Sequence, residues 1–178
     1  MSGSIPRWQT GGFIFVSVLG TFLHFLFDLT GGSLPAALIS AVNESIWEHM
    51  KLLFYPMVLL ALAEHRFWGR DWAGFWQAKL TGSLLGLTLI PVLYYTYTGS
   101  LGVSADWFNI AIFFLAAGVS LWAETRLLTR QKPWLKKWQA VAGIALIAAL
   151  FTAATFFPPC VPLFRDPVTG SYGYFRTA

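Results

Sequence analysis

Charged side chains are scarce in this sequence. Only 11% of its 178 residues are Asp, Glu, Lys or Arg, whereas 56% are hydrophobic, and the mean hydropathy is +0.60. A soluble domain carries about 25% charged residues, so this chain lacks the charge that a water-exposed surface requires. The composition therefore excludes an ordinary soluble domain and predicts an integral membrane protein. Nine Trp and sixteen Phe agree with that class, because aromatic rings collect at membrane interfaces.

Cysteine and the common catalytic motifs are also missing. Cys160 is the single cysteine, which excludes an internal disulfide and a metal site built on a cysteine pair. The sequence has no P-loop, G-x-S-x-G, H-E-x-x-H or dinucleotide fingerprint. The first apolar run, residues 13–29, is longer than the core of a cleaved signal and contains His24 and Asp28. We expect it to remain as a membrane span.

Lysine and arginine are absent from segments 30–43 and 97–107 but concentrated in 64–79 and 126–137. The positive-inside rule places the two basic segments in the cytoplasm, with the N-terminus inside and the C-terminus outside. The formal net charge of +4 therefore indicates topology, and no nucleic-acid partner is expected. The expected partner is the lipid bilayer, and the expected location is the cell (inner) membrane.

Five segments are long and apolar enough to span a bilayer, which takes about 20 helical residues. The expected fold is an all-α bundle in one domain, followed by an extracytoplasmic tail, residues 158–178, that is a candidate lid. The second span is unusual, because residues 52–63 are too short alone and must recruit the polar stretch N-E-S-I-W-E-H-M-K, residues 43–51. The predicted spans are approximately 12–30, 45–65, 78–98, 107–127 and 138–157.

The recruited stretch carries ionisable groups to membrane depth. Glu48, His49 and Lys51 enter the second span, while His24 and Asp28 share one face of the first span at i, i+4 spacing. Counting about 1.5 Å per residue puts both sets in the same half of the membrane. An isolated charge there costs about 2.5–3.5 kcal/mol. These groups are therefore predicted to face the bundle interior and to pair with one another.

Two interpretations of this cluster remain open. In the structural one, Glu48 and Lys51 form an i, i+3 ion pair and Glu44 lies at the water line. In the functional one, the groups form a site, and His with carboxylates suits Zn²⁺ or another divalent ion. The candidate metal ligands are His24, Asp28, Glu48 and His49. The candidate catalytic residues are Glu44, Ser45 and Lys51.

Polar residues near the other end of the spans have simpler expected roles. Glu64 and His65 are expected to be solvated at the inner water line, and Glu124 is expected to pair with Arg126 at the interface.

The stretch N-E-S-I-W-E-H-M-K-L-L-F-Y-P-M, residues 43–57, resembles the signature of a family of small bacterial multi-pass membrane proteins of unknown function. The H-F-x-x-x-D of residues 24–28 and the P-L-F-R-D-P-V-T-G-S-Y-G of residues 162–173 are similar to that family's pattern as well. The resemblance implies no activity, but it implies one functional unit. Its members would be His24, Asp28, Asn43, Glu44, Ser45, Trp47, Glu48, His49, Lys51, Asp166 and Tyr172.

Three functions are compatible with the sequence. The first is a metal-dependent membrane protein or enzyme whose reaction is unassigned. The second is a proton or small-cation transporter or channel, which would need a continuous polar path through the bundle. The third is an assembly subunit or homo-oligomer, held to another membrane protein by its polar face.

Overall fold

The computed structural model describes residues 5–130 and 132–174, so the last four residues of the predicted tail lie outside it. Five of its helices are long and apolar enough to cross a membrane, which confirms the predicted all-α membrane bundle. Short 3₁₀ turns at Gly69–Asp71 and Pro162–Phe164 supplement the α-helices. The α-helices are α1 (Ile5–Leu29), α2 (Leu34–Ile39), α3 (Ile46–Phe67), α4 (Phe75–Leu101), α5 (Asp106–Arg130) and α6 (Lys137–Phe156).

The polar stretch does start a spanning helix. Ser45 caps α3, with its Oγ accepting from the Glu48 backbone N–H at 3.4 Å, and Asn43 Oδ1 accepts from the Ser45 N–H at 2.9 Å. These side chains satisfy backbone donors that a helix start leaves free. The resulting 22 residues of α3 span about 33 Å, enough to cross a hydrocarbon core of about 30 Å.

α3 is the central helix of the bundle. It packs against α1, α4 and α6, and 56% of its most apolar stretch is buried, against 17% for α6. Pro56 lies inside α3 and has no N–H to donate to the Leu52 carbonyl four residues earlier. Gly20 of α1 faces that carbonyl, where an added Cβ would come within 2.6 Å of the oxygen. A glycine at this position allows α1 to approach α3 closely.

Small residues bring α4 and α5 together in the same way. A Cβ at Gly86 would meet Ser120 Oγ at 2.0 Å, and one at Gly82 would meet Glu124 Cγ at 2.4 Å. Close backbone approach through small residues is the common way in which membrane helices pack. Gly82 of α4 therefore packs directly against Glu124 of α5, which belongs to a polar network described below.

We term the end of the bundle where α3 begins the upper end, and the end where α3 finishes the lower end. The C-terminal segment folds onto the upper end: the Tyr174 N–H donates to the Thr155 carbonyl at 2.8 Å, and the Tyr174 hydroxyl donates to the Gly32 carbonyl at 3.1 Å. Phe164 packs against Trp47 with ring centroids 4.7 Å apart and the ring planes tilted by 40°. The segment thus covers the start of α3.

The orientation of this bundle is directly testable. Reporter fusions after residues 70 and 135 should read cytoplasmic, and a fusion at residue 178 should read external, because lysine and arginine occupy alternate connections. A single-site fusion after residue 103, in the connection without basic residues, serves as the internal control and should read external. A cytoplasmic C-terminus would overturn the predicted orientation.

Candidate functional site

A buried polar network joins three helices at the upper end. Its members are Glu48 and Lys51 of α3 and Thr155 of α6, each at most 1% exposed. Lys51 Nζ lies 2.6 Å from Glu48 Oε2 and donates to Thr155 Oγ1 at 3.0 Å. The Thr155 hydroxyl in turn donates to Glu48 Oε1 at 2.8 Å. The i, i+3 ion pair of the structural interpretation is therefore present, extended by a threonine from α6.

Every donor and acceptor of this network has a partner. The third donor position of Lys51 is used by the Ala37 carbonyl of α2 at 2.9 Å, and Glu48 Oε2 also accepts from the Val42 N–H at 3.2 Å. A fully satisfied buried network rigidifies its surroundings. The network ties α2, α3 and α6 together, and it engages all three donor positions of Lys51 and both oxygens of Glu48.

A second polar group lies beside the network and differs from it in being open. His24 of α1, Glu44 in the loop before α3 and His49 of α3 bring one potential ligand atom each to within 4.8 Å of one another. His49 Nε2 is 3.4 Å from Glu44 Oε2, and the two imidazole centroids are 5.2 Å apart. We call these three residues the His24–Glu44–His49 group.

Hydrogen bonding prepares His49 to act as a ligand. Its Nδ1 lies 2.9 Å from the Ser45 carbonyl, and a carbonyl only accepts, so Nδ1 carries a proton. Nε2 then donates to Glu44 when the ring is protonated and offers a lone pair when the ring is neutral. A histidine whose second nitrogen donates to a backbone carbonyl is the usual arrangement at protein metal sites. His24 Nδ1 is buried and has no hydrogen-bond partner among the described residues. Both rings thus have nitrogen atoms available.

Glu44 supplies negative charge to the group. The hydrogen bond from His49 is the main reason why the pKa of Glu44 lies below its ordinary value, and it outweighs the opposing effect of partial burial. Half of the Glu44 side chain is exposed. Glu44 is therefore an ionised carboxylate at neutral pH with room to rotate.

Five of the seven predicted site residues belong to one of these two sets. His24, Glu44 and His49 come together, whereas Glu48 and Lys51 belong to the buried network. Ser45 is buried as the cap of α3. Asp28 is exposed on α1 and acts on His24 only through its charge. Asn43 and the tail meet through one bond, from Asn43 Nδ2 to the Gly173 carbonyl at 3.2 Å.

A second buried ion network, at the lower end, corrects two expectations. Glu64 is fully buried rather than solvated, and it pairs with Lys79 of α4. Glu124 pairs with the same Lys79 Nζ at 2.5 Å and not with Arg126, which lies over the Trp122 ring. The positive-inside pattern had counted Lys79 with the cytoplasmic segment 64–79, although the predicted span 78–98 includes it. Its position between Ala78 and Leu80, in an apolar run, is the signal that it lies inside the bundle.

Apolar side chains separate the two networks. About 24 Å of helix lie between Glu48 and Glu64, and the buried residues of α3 in that interval, from Leu52 to Ala61, are all apolar. A proton relay needs a chain of polar or titratable groups. The described residues of α3 provide no such chain, so along α3 the two networks are separate.

Comparison with known proteins gives a family but no function. A family model described as a family of unknown function (DUF6512) matches residues 2–174. No curated protein matches the chain significantly, and neither does any solved structure. Since the match covers nearly the whole sequence, the chain belongs to this family of unknown function.

Proposed function

We propose that this membrane protein binds a divalent transition-metal ion through the His24–Glu44–His49 group at its upper end. The observation that carries the proposal is the convergence of three ligand atoms, from α1, from a loop and from α3, to within 4.8 Å. No other set of three or more histidine, cysteine or acidic residues converges in this way among the residues that the structure describes.

The chemistry of the group suits zinc. Two imidazoles and one carboxylate are a ligand set that Zn²⁺ accepts at about 2.0–2.2 Å, and three protein ligands leave a fourth position for water or a substrate. Around a tetrahedral ion the ligand atoms lie about 3.4 Å apart. The group therefore has to contract slightly on binding, which the half-exposed Glu44 allows by rotation.

This proposal changes the roles assigned from the sequence. Glu44 becomes a metal ligand rather than a catalytic residue, and Glu48 becomes a structural neighbour rather than a ligand. The open position is what a metal-activated water would need.

Zinc titration of the purified, chelator-treated protein tests the proposal. Wild-type protein should bind one Zn²⁺ per chain in competition with a chromogenic chelator, and His24→Ala or His49→Ala should weaken binding about 100-fold or more, because each removes a ligand. His65→Ala is the matched control, since His65 is the remaining histidine and belongs to the lower end. Absence of stoichiometric zinc in the wild type, or an equal loss in His65→Ala, would contradict the proposal.

The pH dependence of binding gives a second measurement. A histidine must be neutral to ligate, so affinity should fall as pH drops through the ordinary histidine range near about 6.5. With two histidines, the loss between pH 7.5 and 5.5 should approach about 100-fold. Because the pKa of Glu44 is lowered by its hydrogen bond with His49, Glu44 stays ionised throughout this range. Glu44→Gln should therefore weaken binding at every pH in this range; a midpoint of the wild type in the carboxylate range would point to other ligands.

A further inference from the structure

A cavity of about 120 Å³ opens at the lower end, between the α3–α4 and α5–α6 connections. Basic and aromatic side chains line it, including His65, Arg70, Lys137, Trp72 and Trp76. None of its described lining residues is acidic. The charges of Arg70 and Lys137 both act on the His65 ring, so cations from the α3–α4 connection and from the start of α6 converge here.

The walls of this cavity are held in place by buried bonds. Gln77 at the start of α4 is buried, and its Oε1 accepts from the backbone N–H of Trp134 at 2.6 Å and of Leu135 at 2.9 Å. These two bonds fix the α5–α6 connection against α4. Gly74 adopts a positive φ of 75° next to Pro133, where a Cβ would lie 3.3 Å from the proline Cβ. The cavity is therefore preformed rather than created by a ligand.

An unsatisfied donor also belongs to the lining. The indole Nε1 of Trp76 is buried and has no hydrogen-bond partner among the described residues. A buried N–H without a partner costs free energy, and an anion in the cavity would be a suitable acceptor. A convergent cationic cavity with spare N–H donors is the chemistry that recognises a phosphate group.

An apolar groove continues from the same tryptophan. Trp76 also lines a space of about 250 Å³ between α3 and α6, whose other walls include Tyr55, Leu62, Val141 and Ala145 and carry no charged side chain. This groove runs along the membrane-spanning part of two helices, where hydrocarbon chains are the solvent. A basic cavity joined to an apolar groove at the membrane surface is complementary to the two parts of a phospholipid, its phosphate headgroup and its acyl chain.

We propose that the cavity binds the phosphate of an anionic phospholipid whose acyl chain lies in the α3–α6 groove. Basic pockets between membrane helices recognise such headgroups, and the anionic lipids are concentrated in the cytoplasmic leaflet, where the positive-inside rule places the lower end. The proposal is independent of the metal site, which lies at the opposite end of the bundle.

Native mass spectrometry of the detergent-solubilised protein tests it with three probes: phosphatidylglycerol, phosphatidylcholine and inorganic phosphate. Wild-type protein should bind phosphatidylglycerol at least about tenfold more tightly than phosphatidylcholine. Removing both cavity cations in Arg70→Gln/Lys137→Gln should weaken phosphatidylglycerol about 30-fold. Arg66→Gln/Lys132→Gln is the matched control, because it removes the same charge from the last turn of α3 and from the α5–α6 connection. Neither residue lines the cavity, so binding should change less than about twofold.

Two further variants separate the lipid from free phosphate and guard against misfolding. Ala145→Phe fills the groove and should weaken phosphatidylglycerol but not inorganic phosphate. Trp76→Phe keeps every charge and the ring, and should weaken both probes by removing the N–H. Equal losses in the two charge-removing pairs, or no preference for phosphatidylglycerol over phosphatidylcholine, would overturn the site. Phosphatidylglycerol binding that ignores Ala145→Phe and matches inorganic phosphate would assign the cavity to free phosphate instead.

Discussion

Replacing Lys79 with methionine should lower the free energy of unfolding by about 3–5 kcal/mol. The substitution keeps most of the side-chain volume but removes the only cation that contacts Glu64 and Glu124 among the described residues. Both carboxylates are at most 1% exposed, so water cannot replace the lost charge. Two acids would then face each other in a dry interior, which is the costly way to break a buried ion network.

Reversible unfolding in mixed micelles of increasing denaturing-detergent fraction measures this change. Lys132→Met is the control, because Lys132 is exposed and its loss should shift stability by less than about 0.5 kcal/mol. The triple variant Lys79→Met/Glu64→Gln/Glu124→Gln should recover most of the loss, since neutral groups carry a far smaller desolvation cost. Lys79→Met within about 1 kcal/mol of the wild type would show that the network carries little of the fold's stability.

The fold could be predicted from the sequence because the thickness of the bilayer's hydrocarbon core dictates the length and polarity of every spanning helix. A bilayer demands about 20 apolar residues per helix and tolerates few charges, so composition and run length were sufficient to define five spans. The short second run, residues 52–63, shows the same principle at its limit. The chain had to extend α3 through polar residues, and the structure places the start of α3 at Ile46, directly after Ser45.

The site could be predicted only in part, because helical spacing constrains one helix at a time. Consecutive residues diverge by about 100° around a helix, and this separates Glu48, directed inward to Thr155, from His49, directed sideways to His24. Spacing alone could not decide which of the two would meet α1. Thr155 was missed because it comes from a helix distant in sequence. Lys79 was missed because it was counted with the basic segment 64–79. A threonine or lysine within an apolar run is distinctive only once its partner is known.

Glu48→Gln is the substitution that separates structure from metal chemistry at the upper end. Gln keeps the size of the side chain and one carbonyl oxygen, but it leaves the buried Lys51 without its counter-charge at 2.6 Å. We expect a loss of about 3–5 kcal/mol in unfolding free energy, measured in the same mixed micelles. Thr155→Val is a milder companion, which removes one buried hydroxyl and should cost about 1–3 kcal/mol.

The metal affinity of the same variant should change little. Both Glu48 oxygens are already engaged by Lys51, Thr155 and the Val42 N–H, so zinc binding by folded Glu48→Gln protein should stay within about twofold to threefold of the wild type. His49→Ala should reverse the pattern, losing zinc while keeping stability within about 1 kcal/mol, because its ring is partly exposed. A Glu48→Gln protein that stays stable but loses zinc would instead show that Glu48 is a metal ligand. The His24–Glu44–His49 group would then be incomplete without Glu48. Measuring both quantities on both variants therefore decides whether one site or two adjacent ones occupy the start of α3.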